Sequence, residues 1–219
     1  MDFAPSARSE ELKAKLVDFD TNFVRPAEPI YRAQRAESGD PHFPPPVMEE
    51  LKTEARKRGL WNMFMPDEEY GIGLTNADYA PLCEVMGSSP LLGEATNCAA
   101  PDTGNMEILV QFGTALQQEQ WLHPLLNGEI RSCFAMTEPW VASSNALNIS
   151  SRIERDGDDY VVNGHKWFTS GALDPRCKVA IFMGVTDPDA DPYHRQSMIL
   201  IPMDAPGVTV ERGLPVFGH

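Results

Sequence analysis

The spacing of apolar residues changes near Gly128, and this change limits the folds that the chain can adopt. Before it, apolar residues recur three and four positions apart, as around Leu12 and Leu16, which is the period of an amphipathic helix. After it, apolar runs are short and alternate with polar residues, which is typical of β-strands. Helices first and strands second predict an α+β protein, with an all-α domain over 1–129 followed by a small antiparallel β-barrel or sheet domain over 130–219.

Helix boundaries in the first half are predicted from proline and from capping residues. Pro26 and Pro29 are expected to end the first helix, because proline lacks the N–H group that a helix interior needs. Thr75 or Asn76 is expected to cap a later helix, and Thr114 a short one after it. At such a position a side-chain oxygen can accept a hydrogen bond from the first free N–H groups of the helix.

Tight turns and short apolar runs organise the second half. The DGD run at 156–158 and the NG pair at 163–164 both predict turns between strands. The runs that we expect to be strands are 130–136, 149–155, 160–162, 178–185, 197–201 and 208–210. Together they predict an antiparallel arrangement, since short connections join neighbouring antiparallel strands.

A formal net charge of −14 restricts the partners that the chain can bind. The charge disfavours nucleic acids and anionic membranes, because both would be repelled, but a small anionic ligand needs only a local positive site. The four cysteines are widely spaced and show no metal-binding pattern, so we expect reduced thiols, no metal site and a cytoplasmic location. Neither a secretory leader nor a membrane-spanning run is expected.

Two segments combine strand-like residues with hydroxyl groups and small residues. The first, SCFAMTEPWVASS at 132–144, is an apolar run that ends in a loop carrying Thr137, Ser143 and Ser144. The second, GHKWFTSG at 164–171, places two hydroxyl residues and a glycine after two aromatic residues. Such strand-to-loop edges can offer backbone N–H groups and hydroxyl groups to a flat cofactor. Taken alone, the first segment is more typical of an ordinary strand end with a turn than of a cofactor site.

Simpler interpretations of single residues also stay open. Trp167 and Phe168 could be core aromatics, and in a strand one of them would face the core while the other faced the opposite side. His123 and His165 are expected to be surface or hydrogen-bonded residues and not ligands. No single residue therefore indicates the function. Any functional prediction has to rest on the pattern of both segments together.

With their neighbours, the two segments resemble the acyl-CoA dehydrogenase family. The run PDEEYGIGL at 66–74 is similar to a family loop of the form PEEYGGxG, and LLNGEIR at 125–131 leads into MTEP at 136–139 as it does in family members. The run SMILIPM at 197–203 is similar to the later strands of the family's middle β domain. The run APDTGNME at 100–107 resembles one subgroup, whose animal members are fused to a kinase-like domain.

The resemblance implies an FAD enzyme that desaturates fatty acyl-CoA thioesters between Cα and Cβ. In that family a carboxylate removes the Cα proton while a hydride leaves Cβ for flavin N5. The implied cofactor-binding residues come from both segments, and they are Phe134, Met136, Thr137, Ala142, Ser143, Phe168, Thr169 and Ser170. The resemblance also implies that Ser143 and Ser144 meet the pyrophosphate and the CoA arm, so both belong to the expected substrate site.

Particular roles follow from the same resemblance. The Met136 N–H and the Thr137 hydroxyl would donate to the pyrimidine edge of the flavin, which stabilises negative charge on the reduced ring. Phe168 would pack on the isoalloxazine, and Ser170 would form a hydrogen bond near N5. Trp140 departs from the family pattern, which usually has a small or acidic residue there. Its indole could narrow the entry for CoA, stack on the adenine or point to solvent.

The family's C-terminal four-helix domain has no counterpart in these 219 residues. Because that domain supplies the catalytic Glu and most of the tetramer interface, we assign no catalytic residue and expect the chain to be inactive alone. The expected partners are an acyl-CoA substrate, an electron-transfer flavoprotein and, at full length, further copies of the protein. Two alternatives stay open: a non-catalytic or split-chain fragment that binds a partner, and an acyl-CoA oxidase or flavin monooxygenase on the same fold.

Overall fold

A computed structural model describes residues 4–216, and the chain divides into two compact units, Met1–Glu129 and Ile130–His219. The first unit is helical and the second contains the strands, so the predicted α+β order is confirmed. Within residues 4–216, no helix is both long and apolar enough to cross a membrane. The α-helices are α1 (Ala7–Phe19), α2 (Arg25–Ser38), α3 (Pro46–Lys57), α4 (Asn76–Met86), α5 (Leu92–Ala95), α6 (Asp102–Phe112), α7 (Ala115–Gln117) and α8 (His123–Leu126).

The first helical segment continues past both prolines, so the prediction that they end it was wrong. A π-helical turn, Asp20–Val24, joins α1 directly to α2, and Pro26 lies in the first turn of α2. In the π turn the Arg25 N–H donates to the carbonyl of Asp20. This wider turn leaves room for a proline ring just after it, where an N–H group is dispensable. Pro29 lies inside α2 and leaves one helical hydrogen bond unmade.

Both threonine caps are confirmed. The hydroxyl of Thr75 accepts a hydrogen bond from the N–H of Asp78 at 3.2 Å, at the start of α4. Thr114 begins α7 with a capping box, in which its hydroxyl accepts from the Gln117 N–H and the Gln117 side chain accepts from the Thr114 N–H. These caps were predictable because they depend only on residues three positions apart.

The core of the helical unit joins α1, α3 and α4 with the segments between them. Two buried asparagines, Asn62 and Asn97, lie at its edge with positive φ angles of 54° and 55°. The Asn97 side-chain amide donates to Asn62 Oδ1 at 2.7 Å and to the carbonyl of Leu125 at 3.0 Å, which satisfies polar groups inside an apolar region. The largest fully buried apolar side chains include Leu16, Phe19, Met48, Leu60, Met63, Leu82 and Leu92.

The second unit contains a mixed sheet, and this corrects the prediction of an antiparallel one. β4 pairs in parallel with β1 and, through the single pair Arg152–Val185, with β2, whereas β5 pairs with β4 and β3 with β2 in antiparallel fashion. The direction of β1 relative to β4 depends on the path of the intervening chain, which strand patterns do not reveal. The strands are β1 (Arg131–Ala135), β2 (Arg152–Asp156), β3 (Asp159–Asn163), β4 (Cys177–Val185) and β5 (Gln196–Pro202).

One of the two predicted turns is confirmed and the other was wrong. Gly157 adopts a φ of 64° between β2 and β3, as the hairpin requires. Gly164 does not turn β3 back on itself, and a Cβ atom there would lie 2.1 Å from Ser151 Oγ. Glycine is therefore needed at 164 because another part of the chain approaches it closely, which is its second common use. Residues 208–210 are not a strand, contrary to prediction.

Candidate functional site

The first predicted segment runs along β1 and leaves the sheet at Met136. Phe134, Met136 and Thr137 are all half-buried at this end of the strand. The chain then turns back on itself, because the Ser143 N–H donates to the carbonyl of Val141 at 2.8 Å. We refer to residues 136–145 as the 136–145 loop.

The second predicted segment contacts the first through a pair of hydrogen bonds. The N–H of Trp167 donates to the carbonyl of Thr137 at 3.0 Å. In return, the Thr137 hydroxyl donates to the carbonyl of Trp167 at 2.8 Å. The structure therefore brings together the two segments that the sequence singled out, although they are 30 residues apart.

A buried ion pair between Glu138 and Lys166 joins the two segments a second time. Lys166 Nζ lies 2.8 Å from Glu138 Oε1, and the side chains are 7% and 2% exposed. The same ammonium group donates to the carbonyls of Met136 at 2.9 Å and Met183 at 2.7 Å. It also lies over the ring of Phe182, 4.7 Å from the centroid. All three N–H groups of the lysine thus have acceptors inside the unit.

The Glu138 carboxylate is equally well satisfied. Besides Lys166, it accepts hydrogen bonds from the Ser150 N–H at 2.9 Å, the Ser150 hydroxyl at 2.5 Å and the Ser151 N–H at 2.9 Å. Burial by itself raises the pKa of Glu138, but the hydrogen bonds from Lys166, Ser150 and Ser151 outweigh burial and lower this pKa to about 2. Burial lowers the pKa of Lys166, and Glu138 opposes that change. Glu138 is therefore ionised at neutral pH.

Neither member of this pair is predicted from the sequence. Glu138 was part of a recognised motif, and Lys166 lay inside the second segment, but neither was given a role. One signal was available: each is a single charged residue among apolar and neutral polar neighbours on the same two segments. Isolated charges of opposite sign in segments that are expected to meet predict a buried pair, since a lone buried charge is costly.

The serines of the 136–145 loop differ in their availability to a ligand. Ser143 is buried, and its hydroxyl accepts from the Glu138 N–H at 2.5 Å and lies 3.3 Å from the Glu138 carbonyl. Its side chain therefore holds the loop together. Ser144 and Ala142 are exposed, and among the described residues their backbone N–H groups have no protein acceptor. Free N–H groups in a tight loop are typical of an anion-binding concavity.

The aromatic pair of the second segment lies at the surface of its unit. Trp167 and Phe168 are 39% and 53% exposed, with ring centroids 4.9 Å apart. The expectation that one of them faces the core was wrong, because the segment is not a strand and Phe168 has a φ of 50°. A bulky residue in this left-handed region is strained, and such strain often accompanies a functional site. Beyond Phe168, Thr169 is half-buried and Ser170 is exposed.

A second aromatic contact lies beside the first. Trp140 projects from the 136–145 loop with 81% of its surface exposed, and its ring meets that of His165 edge-on with centroids 6.4 Å apart. His165 Nε2 is also 3.8 Å from a carboxylate oxygen of Glu211. Of the three positions that the sequence left open for Trp140, the structure shows an indole that is open to solvent on most of its surface.

Comparison with known proteins identifies the family. Residues 7–129 match the model of the acyl-CoA dehydrogenase N-terminal domain, and residues 133–219 match that of the acyl-CoA dehydrogenase middle domain. The chain belongs to the acyl-CoA dehydrogenase family. Members of this family are flavoprotein oxidoreductases, so the resemblance that the sequence suggested is confirmed at this level.

Individual relatives agree with this assignment. The chain is 57% identical to the probable acyl-CoA dehydrogenase FadE2 of Mycobacterium tuberculosis, over 100% of this chain and 53% of that protein. It is 54% identical to acyl-CoA dehydrogenase family member 10 of Mus musculus, over 98% of this chain but 20% of that protein. A solved structure of an acyl-CoA dehydrogenase-type protein from Mycobacterium abscessus superposes with a TM-score of 0.94 at 49% identity, covering 98% of this chain and 55% of that one.

The chain therefore spans about half the length of FadE2 and of the Mycobacterium abscessus protein. A structure of glutaryl-CoA dehydrogenase from Mycobacterium smegmatis in complex with FADH2 also matches, with a TM-score of 0.69. Its identity of 24% supports the shared fold and no more. What the family does with its cofactor and substrate is thus a matter of proposal for this chain.

Proposed function

We propose that this chain forms part of an FAD-dependent acyl-CoA dehydrogenase, which desaturates an acyl-CoA thioester between Cα and Cβ. The observation that carries the proposal is the joining of the two segments by the Thr137–Trp167 hydrogen bonds and the Glu138–Lys166 pair. Such a double connection holds backbone and aromatic groups from both segments in fixed positions. Preorganised groups of this kind bind and orient a rigid cofactor without further ordering.

The groups present fit a flavin dinucleotide. The exposed rings of Trp167 and Phe168 offer an apolar surface to a flat ring system. The free N–H groups of Ala142 and Ser144, with the Ser144 hydroxyl, suit a diphosphate. FAD, when bound, would supply the hydride acceptor of the reaction.

The hydroxyl residues would have different roles in this proposal. Because the Thr137 hydroxyl gives its hydrogen to the Trp167 carbonyl, it would meet the cofactor as an acceptor, and donation would fall to backbone N–H groups. Ser143 would act by shaping the loop, because its side chain is buried against Glu138. Ser144 would be the serine that meets a phosphate or the CoA arm. Phe134, Met136, Thr169 and Ser170 would also lie beside the cofactor.

Lys166 would act on the cofactor indirectly. Its ammonium group fixes the carbonyls of Met136 and Met183 and the Glu138 carboxylate, and so holds the strand end beside which the flavin would lie. We assign no proton-abstracting residue, because this chain covers about half of its relatives. An electron-transfer flavoprotein as acceptor and assembly into a homo-oligomer are proposed for the whole protein.

Titration of the chain with FAD tests the proposal. We expect the flavin fluorescence to be quenched on binding, and Phe168→Ala to weaken the affinity by about tenfold, because a stacked aromatic surface is lost. Tyr160→Ala is a matched control, since Tyr160 is 54% exposed and lies on β3, outside both segments. Failure of the unmodified chain to bind FAD at millimolar concentration would contradict the proposal.

Reduction of the bound flavin separates the dehydrogenase from the alternatives. In a protein that also contains the second half of the relatives' length, we expect an acyl-CoA to bleach the flavin absorbance. The reduced flavin of a dehydrogenase should then react slowly with oxygen, whereas that of an oxidase or a monooxygenase reacts quickly. Rapid reoxidation in air would therefore move the assignment to one of those enzymes, and a flavin that never bleaches would favour a non-catalytic role.

A further inference from the structure

A small cluster at the start of β4 contains three sulfur atoms. The thiols of Cys133 in β1 and Cys177 in β4 are 1% and 6% exposed, and the thioether of Met203, which follows β5, is half-buried beside them. Cys133 Sγ lies 3.9 Å from Met203 Sδ. The remaining members, Ala172 and Ala180, have small apolar side chains that offer no competing ligand atom. We refer to these five residues as the sulfur cluster.

An irregularity in the sheet accounts for the presence of both thiols in one cluster. Cys133 pairs with Ala180, and Cys177 pairs with Arg131. In a regular strand, residues 177 and 180 would face opposite sides, because side chains alternate. The register shifts between Arg131 and Ser132, however, and an inserted residue of this kind lets positions three apart share one face.

Backbone pairing holds Met203 beside the first residues of β4. The Met203 N–H donates to the carbonyl of Lys178 at 3.0 Å, next to Cys177 in the chain. Met203 is half-buried, whereas the two thiols are enclosed. An ion that enters the cluster from solvent would therefore meet the thioether first. The unbranched methionine side chain has three rotatable bonds, so it can adjust to such an ion.

The separation of the sulfur atoms is compatible with a shared metal ion. Metal–sulfur bonds in proteins are about 2.3 Å long, so three sulfur atoms in a plane around one ion lie about 4 Å apart. The distance of 3.9 Å between Cys133 Sγ and Met203 Sδ agrees with this value. The sulfur atom of Cys177, in the same cluster, supplies the third ligand.

The ligand set favours a soft ion. Within the part of the chain that the structure describes, no three histidine, cysteine, aspartate or glutamate side chains are grouped so that they could hold a metal ion. A site at the cluster therefore needs the thioether as its third ligand. Thiolates and thioethers favour Cu(I), whereas Mg²⁺ and Ca²⁺ prefer oxygen ligands. Sequence patterns predicted no metal site, because the three residues are far apart in the chain and methionine is not part of such patterns.

We propose that Cys133, Cys177 and Met203 bind one Cu(I) ion. Each thiol releases a proton to solvent as its sulfur atom bonds to the ion, and the thioether binds through a lone pair without losing a group. The copper keeps its oxidation state, so no oxidant or reductant takes part. Two thiolates and one monovalent cation give the site a single negative charge.

Charged residues next to Cys177 oppose this negative charge. Arg131 is its partner in the sheet and Arg176 precedes it in the chain. The guanidinium of Arg176 is held by the Asp174 carboxylate at 2.7 Å. These three side chains together carry one positive charge, which favours an anionic site near them.

Titration with Cu(I) under nitrogen, in competition with a chromophoric Cu(I) chelator, tests this proposal. The chain carries Cys83→Ser and Cys98→Ser, so that the thiols of the helical unit do not compete. We expect one ion per chain, release of two protons and an affinity that rises with pH. Met203→Leu keeps the side-chain volume and should weaken the affinity by about tenfold. Met198→Leu is the matched control, because Met198 is 51% exposed on β5 and is not a member of the cluster.

The ligands themselves are tested by X-ray absorption at the copper edge. We expect three sulfur neighbours at about 2.3 Å. A chain that binds no Cu(I), a copper ion with fewer than three sulfur neighbours, or equal affinities of Met203→Leu and Met198→Leu would overturn the proposal and leave the cluster as apolar packing. Because Met203 is half-buried, Met203→Leu should fold even if substitution of a buried cysteine does not. The result is independent of the FAD titration, since none of the three ligands is a proposed cofactor residue.

Discussion

Each of the two units buries a lysine, and the partners of the two lysines differ. Lys52 in α3 is 2% exposed, but its carboxylate partner Glu49, at 2.7 Å, is 61% exposed and reaches water. A second carboxylate, that of Glu94, is 3.8 Å from the same ammonium group. Lys166 is buried to a similar degree, but its partner Glu138 is itself enclosed. The Lys52–Glu49 pair therefore borders on solvent, whereas the Lys166–Glu138 pair is enclosed by protein. We refer to the second as the enclosed pair.

This difference determines what each pair can do. A pair whose acid is hydrated can lose its lysine cheaply, because water stabilises the carboxylate that remains. An enclosed pair cannot, because the remaining charge has no solvent to stabilise it. The enclosed pair also fixes two backbone carbonyls, that of Met136 at the end of β1 and that of Met183 in β4. It therefore helps to define the geometry of the candidate site.

The largest effect is expected from Lys166→Met. The substitution leaves the buried Glu138 carboxylate without its counter-ion, so we expect the free energy of unfolding to fall by about 3–5 kcal/mol. Urea denaturation of the chain measures this change. Lys178→Met is the control, since Lys178 is exposed on β4 and, among the residues that the structure describes, its ammonium group donates only to the Pro175 carbonyl. A loss no larger than that of the control would show that the enclosed pair is not a stabilising element.

The pH dependence of stability should reveal the contribution of Glu138, the other member of the enclosed pair. Because the folded-state pKa of Glu138 is lowered from 4.5 to about 2, its contribution is fully present above pH 4.5 and is lost as the pH falls through 2. We expect the difference in unfolding free energy between the unmodified chain and Glu138→Gln to shrink by about 3 kcal/mol over this range. Denaturation curves at pH 6, 4 and 2.5 measure it. A difference that is constant with pH would argue against the lowered pKa.

Sequence patterns predicted the parts of the molecule that depend on near neighbours. The caps at Thr75 and Thr114 and the turn at Gly157 each depend on a few adjacent residues, and all three are confirmed. The parallel pairing of β1 with β4 was missed because strand direction depends on chain path over more than 40 residues. The prolines were misinterpreted because the π turn that accommodates Pro26 has no sequence signature of its own.

In the candidate site, too, local features were predicted from the sequence and long-range ones were not. Both segments were recognised from their motifs, and their contact through Thr137 and Trp167 is present in the structure. The Glu138–Lys166 pair, which joins residues 28 positions apart, could not be derived from either motif alone. The positive φ of Phe168 was also unpredictable, since phenylalanine rarely adopts it and only the surrounding structure imposes it.

A smaller effect is expected at Phe168, where stability and FAD binding should depend on different properties of the residue. Glycine adopts a φ of 50° without strain, so Phe168→Gly should be more stable than Phe168→Ala by about 1 kcal/mol. Both variants lose the ring and should bind FAD equally weakly under the proposed function. Urea denaturation and FAD titration of the two variants separate the effects. Equal stabilities would mean that the backbone at Phe168 carries no strain.

The smallest effect is expected from Lys52→Met, which tests the comparison directly. Methionine fills a volume similar to that of the lysine stem, and the exposed Glu49 carboxylate can be hydrated in place of its lost partner. We therefore expect the free energy of unfolding to change by no more than about 1 kcal/mol. Lys57→Met, an exposed position on the same helix, is the control for the substitution itself. If Lys52→Met costs as much as Lys166→Met, burial of the lysine would be decisive and the exposure of its partner would not matter. A small cost at Lys52 beside a large one at Lys166 would instead show that the enclosure of both charges sets the energy of the pair.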